Sequence, residues 1–276
     1  MRPEDYGLVT QLCASHAGLE VDPRKTYFID SRLGPVARRD GFNSTEEMIG
    51  AIRQGQDERL IWSLVEAIAT GETSFFRDRT PFTLFATDIL PDMARQRNGE
   101  PIRVWSAACG GGQEVYSLAM VIDEVQGDLP PGTRVELFGS DLSDRALEKA
   151  QSGLYTQFEI QRGLPIRRLV RHFEKADENW QLSPRIRQMV RWRRINLITD
   201  MPATGRFDVI FCRYVLSSMT AAARITLLTN LTRALSPIGV LVLGQSETNS
   251  ELEEVFRPTT SGSDIFERDP AHGVAA

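Results

Sequence analysis

The stretch VWSAACGGGQEVYSLAM, residues 104–120, sets an apolar run directly against three consecutive glycines and an amphipathic segment. The run is typical of a buried strand and the segment of a helix, with Gly110 to Gly112 in the turn between them. Glycine has no Cβ, adopts positive φ readily and lets a ligand approach the backbone. Because open α/β sheets bind ligands beyond the carboxyl ends of their strands, this turn is the predicted ligand site.

The same alternation continues after the turn. Strand candidates are IRVWSAA, RVELFGSD, VRWRRIN, FDVIFC and GVLVLG, and helix candidates are EVYSLAMVIDEV, SDRALEKAQSG and AAARITLLTNLTRAL. This order predicts an α/β fold with a largely parallel sheet. The terminal segments GVLVLGQSE and DIFERD are expected to pair as an antiparallel hairpin at one edge of the sheet.

Residues 1 to about 95 are predicted to be helical. In STEEMIGAIRQG, Ser44 and Glu47 form a capping-box pattern and Gly55 marks the end of a helix. The segment PFTLFATDILPDMARQRNG (81–99) is predicted to form one helix that ends in a turn at Asn98-Gly99. Between these two, DERLIWSLVEAIATG places one set of apolar side chains on a single helix face: Leu60, Ile61, Leu64, Val65 and Ile68.

Composition narrows the class of protein. A chain of 276 residues with net charge −5 is large enough for a substantial core and is not typical of a general nucleic-acid binder. Its three cysteines form no CxxC pair and it has three histidines, which argues against a disulfide framework and a metal site. No apolar run is long enough to cross a bilayer. We therefore predict a cytoplasmic protein that does not insert into membranes.

One stretch departs from the acidic balance. Residues 161–194 carry ten Lys/Arg and three Asp/Glu, a local excess of seven positive charges. Two interpretations stay open: a surface that faces an acidic partner, and an ordinary solvated surface.

The spacing of residues around the glycines discriminates between the classes of nucleotide that this turn could bind. A dinucleotide fingerprint that starts at Gly110 requires glycine at position 115, which is Val115, and an acid about 20 residues onward. The acid at the end of the second strand is Asp141, 31 positions after Gly110. No Gly-Lys-Ser/Thr follows, which excludes a Walker loop. An acid for ribose without a pyrophosphate cradle indicates S-adenosylmethionine; alternatively, Asp141 is an acid at a helix N-terminus before Ser143.

Six motifs follow one another in an order that resembles the chemotaxis receptor methyltransferases, the CheR family. The similarity extends from about residue 5 to residue 268. The motifs are ETSFFRD (72–78), VWSAACGGGQEVYSLAM (104–120), GSDLSDRALEKAQSGLY (139–155), INL (195–197), FDVIFCRYVL (207–216) and LSPIGVLVLGQSE (235–247).

The resemblance implies a division of the chain and a function. Residues 1–78 are expected to form an all-helical domain, and residues 79–276 a Rossmann-like S-adenosylmethionine-dependent methyltransferase domain with a small insertion near 155–190. The family converts glutamates on the cytoplasmic signalling helices of chemoreceptors to methyl esters, leaving S-adenosylhomocysteine. We expect a monomer that is recruited to membrane receptors.

The resemblance also implies a set of site residues. Arg77 is the candidate for orienting the acceptor carboxylate, and no metal is expected. Ser218 stands where the family has a tyrosine near the reacting methyl group, and Gly71 stands where it has asparagine. Cofactor contacts are expected from Thr73, Arg77, Ala107, Gly110, Glu114, Asp141, Asn196, Leu197, Arg213 and Tyr214.

Two other functions remain open at this stage. Because the family sequence Asn-Val-Leu-Ile-Tyr-Phe is replaced here by residues 214–219, YVLSSM, the chain is alternatively a regulator that binds the cofactor with little catalysis. A methyltransferase of small molecules shares only the cofactor fold, and fold is a poor guide to substrate.

Overall fold

The computed structural model describes residues 1–55, 57–199, 205–260 and 262–269. The chain divides into two compact units, residues 1–71 with 216–227, and residues 72–215 with 228–276. Residues 72–78, which the sequence-based division assigns to the N-terminal domain, belong to the second unit. The division into domains at residue 78 stays a prediction.

The first unit is helical. Its helices are α1 (Pro3–Ala17), α2 (Thr26–Arg39), α3 (Thr45–Gly55) and α4 (Glu58–Ala69). Residues 216–227 are tied to it by an isolated bridge between Leu19 and Met219 and by the Thr220 N–H, which donates to the Gly18 carbonyl at 2.9 Å. The apolar face predicted for α4 is buried, since each of its five side chains is at most 7% exposed.

The cap of α3 forms with one difference from the predicted pattern. The Ser44 hydroxyl accepts from the Glu47 N–H at 3.1 Å, as a capping box requires. The Glu47 carboxylate, however, accepts from the N–H of Asn43 at 2.8 Å, one residue earlier than expected. The helix ends at Gly55, as predicted.

The second unit alternates strands and helices. Its first part contains α5 (Thr80–Leu84), a π-helical segment (Phe85–Ile89), α6 (Leu90–Arg97), β1 (Ile102–Ala107), α7 (Gln113–Val125), β2 (Val135–Asp141) and α8 (Asp144–Ser152). There follow β3 (Leu154–Thr156), α9 (Gln157–Gln161), α10 (Ile166–His172), β4 (Phe173–Ala176), β5 (Asn179–Leu182), α11 (Pro184–Arg187) and β6 (Val190–Arg194). The remaining elements of the chain are β7 (Phe207–Phe211), α12 (Ala221–Ala234), β8 (Leu235–Val242), α13 (Ser250–Glu253), β9 (Phe256–Thr259) and β10 (Gly262–Arg268).

Seven of the strands in the described residues form one sheet in the order β6-β2-β1-β7-β8-β10-β9. The first five run parallel, and β10 pairs antiparallel with β8 and with β9. Every residue of β7 is buried, as expected for a central strand of a parallel sheet covered on both faces. The fold is therefore the predicted Rossmann-like α/β class.

The pairing of the two terminal segments is confirmed, since Ile265 lies opposite Val242 in the antiparallel ladder. Their predicted place at the edge is wrong. The strand β9 was not predicted; it forms a hairpin with β10 and occupies the edge. Its sequence, FRPT, is short and contains Pro258, which cannot donate to a ladder and is therefore typical of an edge strand.

The single helix predicted over residues 81–99 is a composite. Helices α5 and α6 are joined through the π-helical segment Phe85–Ile89, directly before Pro91 at the start of α6. Proline has no N–H for the regular i→i−4 bond and its ring crowds the preceding turn, so a local change of helix type is a physical consequence. The predicted turn is present, with φ of 46° at Asn98 and 95° at Gly99.

A second sheet of three antiparallel strands, in the order β3-β5-β4, lies between α8 and α11 along the chain. This is the region of the basic stretch, and many of its arginines have acidic partners within the chain. The pairs are Arg162–Glu72, Arg168–Glu124, Arg171–Asp123, Arg185–Asp123, Arg191–Glu136 and Arg194–Asp144. These partners lie outside residues 161–194, so much of the local charge excess is compensated internally.

Candidate active site

The carboxyl ends of the five parallel strands meet at one edge of the large sheet. The segments that follow them are 108–112 after β1, 142–143 after β2, 195–197 after β6, 212–215 after β7 and 243–247 after β8. Each of these segments was singled out in the sequence or adjoins a motif that was. The topology thus brings distant motifs of the second unit to a common place.

Backbone strain concentrates at the same edge. Apart from glycine, the described residues with positive φ include Ala108 after β1, Tyr214 after β7 and Ser246 after β8. The segment 76–79 adds three more, Phe76, Asp78 and Arg79. Residues other than Gly, Asn and Asp seldom adopt a positive φ, because their side chains then crowd the backbone. Such a conformation persists only where surrounding contacts hold it, most often at functional sites.

The glycine turn and Asp141 are joined directly. The Gly110 N–H donates to one oxygen of the Asp141 carboxylate at 2.8 Å, and the Ser143 N–H donates to the other at 3.0 Å. Both interpretations of this acid therefore have a structural basis, since Ser143 caps α8 while Gly110 belongs to the turn. Burial raises the pKa of Asp141 above its ordinary value, although the backbone N–H donors act in the opposite direction.

Gly112 has no room for a side chain. Its φ is 89°, and a Cβ built there would lie 2.8 Å from the Cβ of Ala150. We expect Gly112→Ala to lower the free energy of unfolding by about 2 kcal/mol through left-handed strain and this contact. Urea titration followed by tryptophan fluorescence measures the change.

Gly127→Ala is the matched control for this substitution, because a Cβ there meets nothing within 4 Å. Equal free energies of unfolding for the two variants would contradict the close packing of the turn.

The segment after β6 lies beside the same acid. The Ile195 N–H donates to the Asp141 carbonyl at 3.0 Å, which brings Asn196 and Leu197 next to the end of β2. Leu197 is buried, and its carbonyl accepts from the Asn230 amide at 2.9 Å. An apolar side chain beside a polar one is a suitable surface for a heterocyclic base.

A chain of charged groups links β1, β7 and the segment 72–79. The Ser106 hydroxyl donates to one oxygen of Glu114 at 2.9 Å, and the guanidinium of Arg213 donates to the other at 3.0 Å. The other terminal nitrogen of that guanidinium, Nη2, donates to the carboxylate of Asp78 at 2.5 Å and to the Arg77 carbonyl at 3.0 Å. Arg213 is thus a buried cation between two carboxylates.

Tyr214 is held at three points. Its N–H donates to the Glu247 carboxylate at 2.5 Å, its hydroxyl donates to Asp78, and its ring lies 3.5 Å from the guanidinium carbon of Arg77. No role was predicted for Asp78 or Glu247 from the sequence. Each is the last residue of a motif quoted above, ETSFFRD (72–78) and LSPIGVLVLGQSE (235–247). Membership of these motifs was the one sequence feature that linked Asp78 and Glu247 to the site.

The remaining predicted residues fall in three places. Thr73 lies against the turn, since a Cβ at Gly110 would be 3.3 Å from its methyl group. Ala107 is buried at the end of β1. Ser218 belongs to the first unit, in a 3₁₀ turn (Leu216–Ser218), where its carbonyl accepts from the Glu20 N–H at 2.9 Å.

The cysteines and the acidic groups show no other catalytic arrangement in the described residues. Cys109 and Cys212 are buried, and burial raises the pKa of each thiol well above its ordinary value, as is typical of structural rather than nucleophilic cysteines. Across the described ranges, no group of three or more His, Cys, Asp or Glu side chains is arranged to hold a metal ion. None of the helices described combines the length and apolarity that a membrane crossing requires.

These residues fit an adenosyl donor. A carboxylate such as that of Asp141 is a suitable acceptor for ribose hydroxyls, and the glycine turn beside it has no side chains to obstruct a ligand. The chain order of the parallel strands proceeds outward from β1 to β6 on one side and from β7 to β8 on the other, so the glycine turn after β1 lies at the switch point of a Rossmann-like sheet. Fold and site together define the S-adenosylmethionine-dependent methyltransferase class.

Comparison with known proteins narrows the class. Residues 71–265 match the family model "CheR methyltransferase, SAM binding domain". The chain is 34% identical to chemotaxis protein methyltransferase 1 of Pseudomonas aeruginosa, with 96% of this chain and 97% of the relative covered. It is 31% identical to the chemotaxis protein methyltransferase of Escherichia coli, covering 94% and 88% of the two chains. The chain belongs to the CheR methyltransferase family, and its cofactor is S-adenosylmethionine.

The raised pKa of Asp141 has a consequence for ligand binding. Hydroxyl donors favour the ionised carboxylate, so we expect the affinity for S-adenosylhomocysteine to be constant near neutral pH and to fall as the pH drops through the pKa of Asp141. Because that pKa is raised, the fall begins at a higher pH than for an exposed aspartate. Calorimetric titration at a series of pH values measures it, and Asp141→Asn should remove this dependence.

Proposed function

We propose that this protein transfers the methyl group of S-adenosylmethionine to glutamate side chains on the cytoplasmic signalling helices of chemoreceptors, in chemosensory adaptation. Membership of the CheR family and the names of the relatives support a chemotaxis methyltransferase. The observation that supports a carboxylate acceptor is Arg77, a cation that has no carboxylate partner among the described residues. A glutamate that enters the site supplies that partner.

The reaction requires no general base from the protein. S-adenosylmethionine supplies an electrophilic methyl group, and a glutamate with a pKa of about 4.3 is already an ionised nucleophile near neutral pH. What remains is alignment, which contributes about 7–11 kcal/mol in well-oriented systems. Arg77 orients the acceptor carboxylate in this scheme, and a site that excludes water favours the cancellation of opposite charges.

The cofactor contacts follow from the side-chain chemistry. Asp141 accepts from the ribose hydroxyls, and Glu114 approaches the methionine part of the donor. Asn196 and Leu197 frame the adenine, while Ala107 and Gly110 line the crevice through their backbone. Thr73, Arg77, Arg213 and Tyr214 complete the proposed cofactor contacts.

The test combines purified full-length protein, labelled S-adenosylmethionine and soluble receptor signalling fragments from the same cell. We expect methyl label that base releases as methanol, and no such label on fragments whose acceptor glutamates are replaced by glutamine. Base-stable label would refute a glutamate ester. Binding of S-adenosylhomocysteine with no transfer to any receptor fragment would favour the cofactor-binding regulator, for which the altered segment 214–219 is the motivating feature.

A further inference from the structure

Two neighbouring arginines of the second unit have opposite surroundings. Arg213 is buried, with 1% of its side chain exposed, and pairs with both Glu114 and Asp78. Arg77 is partly exposed, and its guanidinium donates one hydrogen bond in the described structure, to the Glu72 carbonyl at 2.9 Å. Arg213 therefore pairs with two carboxylates, whereas the Arg77 guanidinium forms no ion pair with a carboxylate in the described residues.

The guanidinium of Arg77 rests on an aromatic ring instead of on an acid. Its central carbon lies 3.5 Å from the centroid of the Tyr214 ring. A planar guanidinium that stacks by its face keeps its N–H donors in its own plane, away from the ring. The contact with the ring therefore holds the guanidinium without an ion pair to a carboxylate.

Tyr214 is fixed more firmly than a surface tyrosine. Its backbone is left-handed, with φ of 61°, and Glu247 accepts from both the Tyr214 N–H and the Gly244 N–H, at 2.5 and 2.9 Å. A Cβ at Gly244 would lie 2.8 Å from the Glu247 carboxylate and 2.9 Å from the Tyr214 backbone nitrogen, so this approach requires glycine. At its other end, the Tyr214 hydroxyl donates to Asp78. The surroundings thus determine the ring position from both ends.

We propose that Asp78 and Tyr214 are positioning residues that act through Arg77. Asp78 accepts from both Arg213 and the Tyr214 hydroxyl through its Oδ2 atom, which holds the ring beside the buried ion pair. Tyr214 then supports the guanidinium by its face, so that the remaining N–H donors of Arg77 bind the carboxylate of the acceptor glutamate. This inference rests on the proposed function, because it assigns the Arg77 guanidinium to the acceptor.

The first test needs no activity. Stacking at this distance shifts the Nε–H proton resonance of an arginine upfield through the ring current, so protein with ¹⁵N-labelled arginine should show an upfield resonance from Arg77. We expect it to disappear in Arg77→Lys and in Tyr214→Leu, and to persist in Tyr214→Phe, which keeps the ring. If no upfield resonance responds to both Arg77→Lys and Tyr214→Leu, the stack is absent in solution and the proposal is overturned.

The second test separates a positioning role from a direct one. We expect Tyr214→Leu to lower kcat/KM for receptor fragments about 30-fold and Tyr214→Phe about 3-fold, with the affinity for S-adenosylhomocysteine by calorimetry changed less than about 3-fold in Tyr214→Phe. In an Arg77→Met background, Tyr214→Leu should lower kcat/KM further by less than about 3-fold, since residues that act through one another are not additive. A full additional 30-fold loss in that background would overturn the proposal.

Asp78→Asn provides the third variant, with Asp92→Asn as its control. Asp78→Asn weakens both bonds to Asp78, and we expect about a 10-fold loss in kcat/KM together with a displaced Arg77 resonance. Asp92 also pairs with an arginine, Arg95, but both side chains are exposed on helix α6 outside the site, so its variant should match the wild type. If Asp78→Asn behaves like Asp92→Asn in both measurements, Asp78 has no positioning role.

The failures of the two proposals are distinguishable. Wild-type protein that forms no methyl ester on any receptor fragment refutes the proposed function and with it the acceptor role of Arg77, whatever the resonance shows. Wild-type protein that is active, but whose Tyr214 and Arg77 variants lose activity independently, refutes the positioning role alone.

Discussion

Arg77→Met is expected to lower kcat/KM for receptor methylation by about 1000-fold, which corresponds to about 4 kcal/mol of lost transition-state stabilisation. The reason is the loss of the Arg77 guanidinium, which is not paired with a carboxylate in the described structure. Removing one partner of a desolvated charge pair costs about 2–5 kcal/mol. Initial rates of base-labile methyl transfer, at several fragment concentrations, give the value.

Arg257→Met is the control for this substitution. Arg257 is an exposed arginine on β9 that pairs with Glu267, and its loss should leave the rate unchanged within about 2-fold. Arg77→Lys should recover part of the activity, because lysine keeps the charge without the planar fork. An Arg77→Met variant that stays within 10-fold of the wild type would contradict the assignment of this residue to the acceptor.

Asp141→Ala is expected to weaken binding of S-adenosylhomocysteine about 100-fold, or about 2.7 kcal/mol. The carboxylate organises both sides of the crevice, since it accepts from Gly110 in the turn and from Ser143 at the start of α8, and it is the proposed acceptor for two ribose hydroxyls. Hydrogen bonds to charged acceptors contribute about 1.5–3 kcal/mol each, and part of this loss is regained by water. Isothermal titration calorimetry measures the dissociation constant.

Asp144→Ala is the matched control three residues onward. Asp144 is an exposed acid in the first turn of α8 and pairs with Arg194, so its removal should change the affinity by less than about 2-fold. If the two aspartate variants bind equally well, Asp141 serves only as an acid at the helix start and the proposed cofactor contact is wrong.

Most of the fold follows from local pattern. Long apolar runs and the period of helix faces predicted β1, β2, β7, α4 and α12 with bounds close to those observed, because each signal lies within one element. The edge strand β9 was missed because four residues that include a proline carry little pattern. The π-helical segment was missed because its cause, Pro91, alters hydrogen bonds one turn earlier than its own position.

Some contacts of the candidate site could also be predicted from the sequence, and others could not. The nearness of Gly110 and Asp141 was predictable, since both follow adjacent parallel strands. The roles of Asp78 and Glu247 were not, because their contacts to Arg213 and Tyr214 join residues more than 30 positions apart. Their geometry also depends on left-handed backbone at residues that the sequence does not mark for it. The assignment of each residue to cofactor or acceptor stays a prediction.

The most direct measurement of the whole account is a calorimetric titration of S-adenosylhomocysteine into the wild-type protein, with NAD⁺ titrated under the same conditions. The account predicts one bound molecule per chain with a micromolar dissociation constant, and no heat from NAD⁺, because Val115 stands where a dinucleotide fingerprint has glycine. No heat from S-adenosylhomocysteine, or equal binding of NAD⁺, would contradict it.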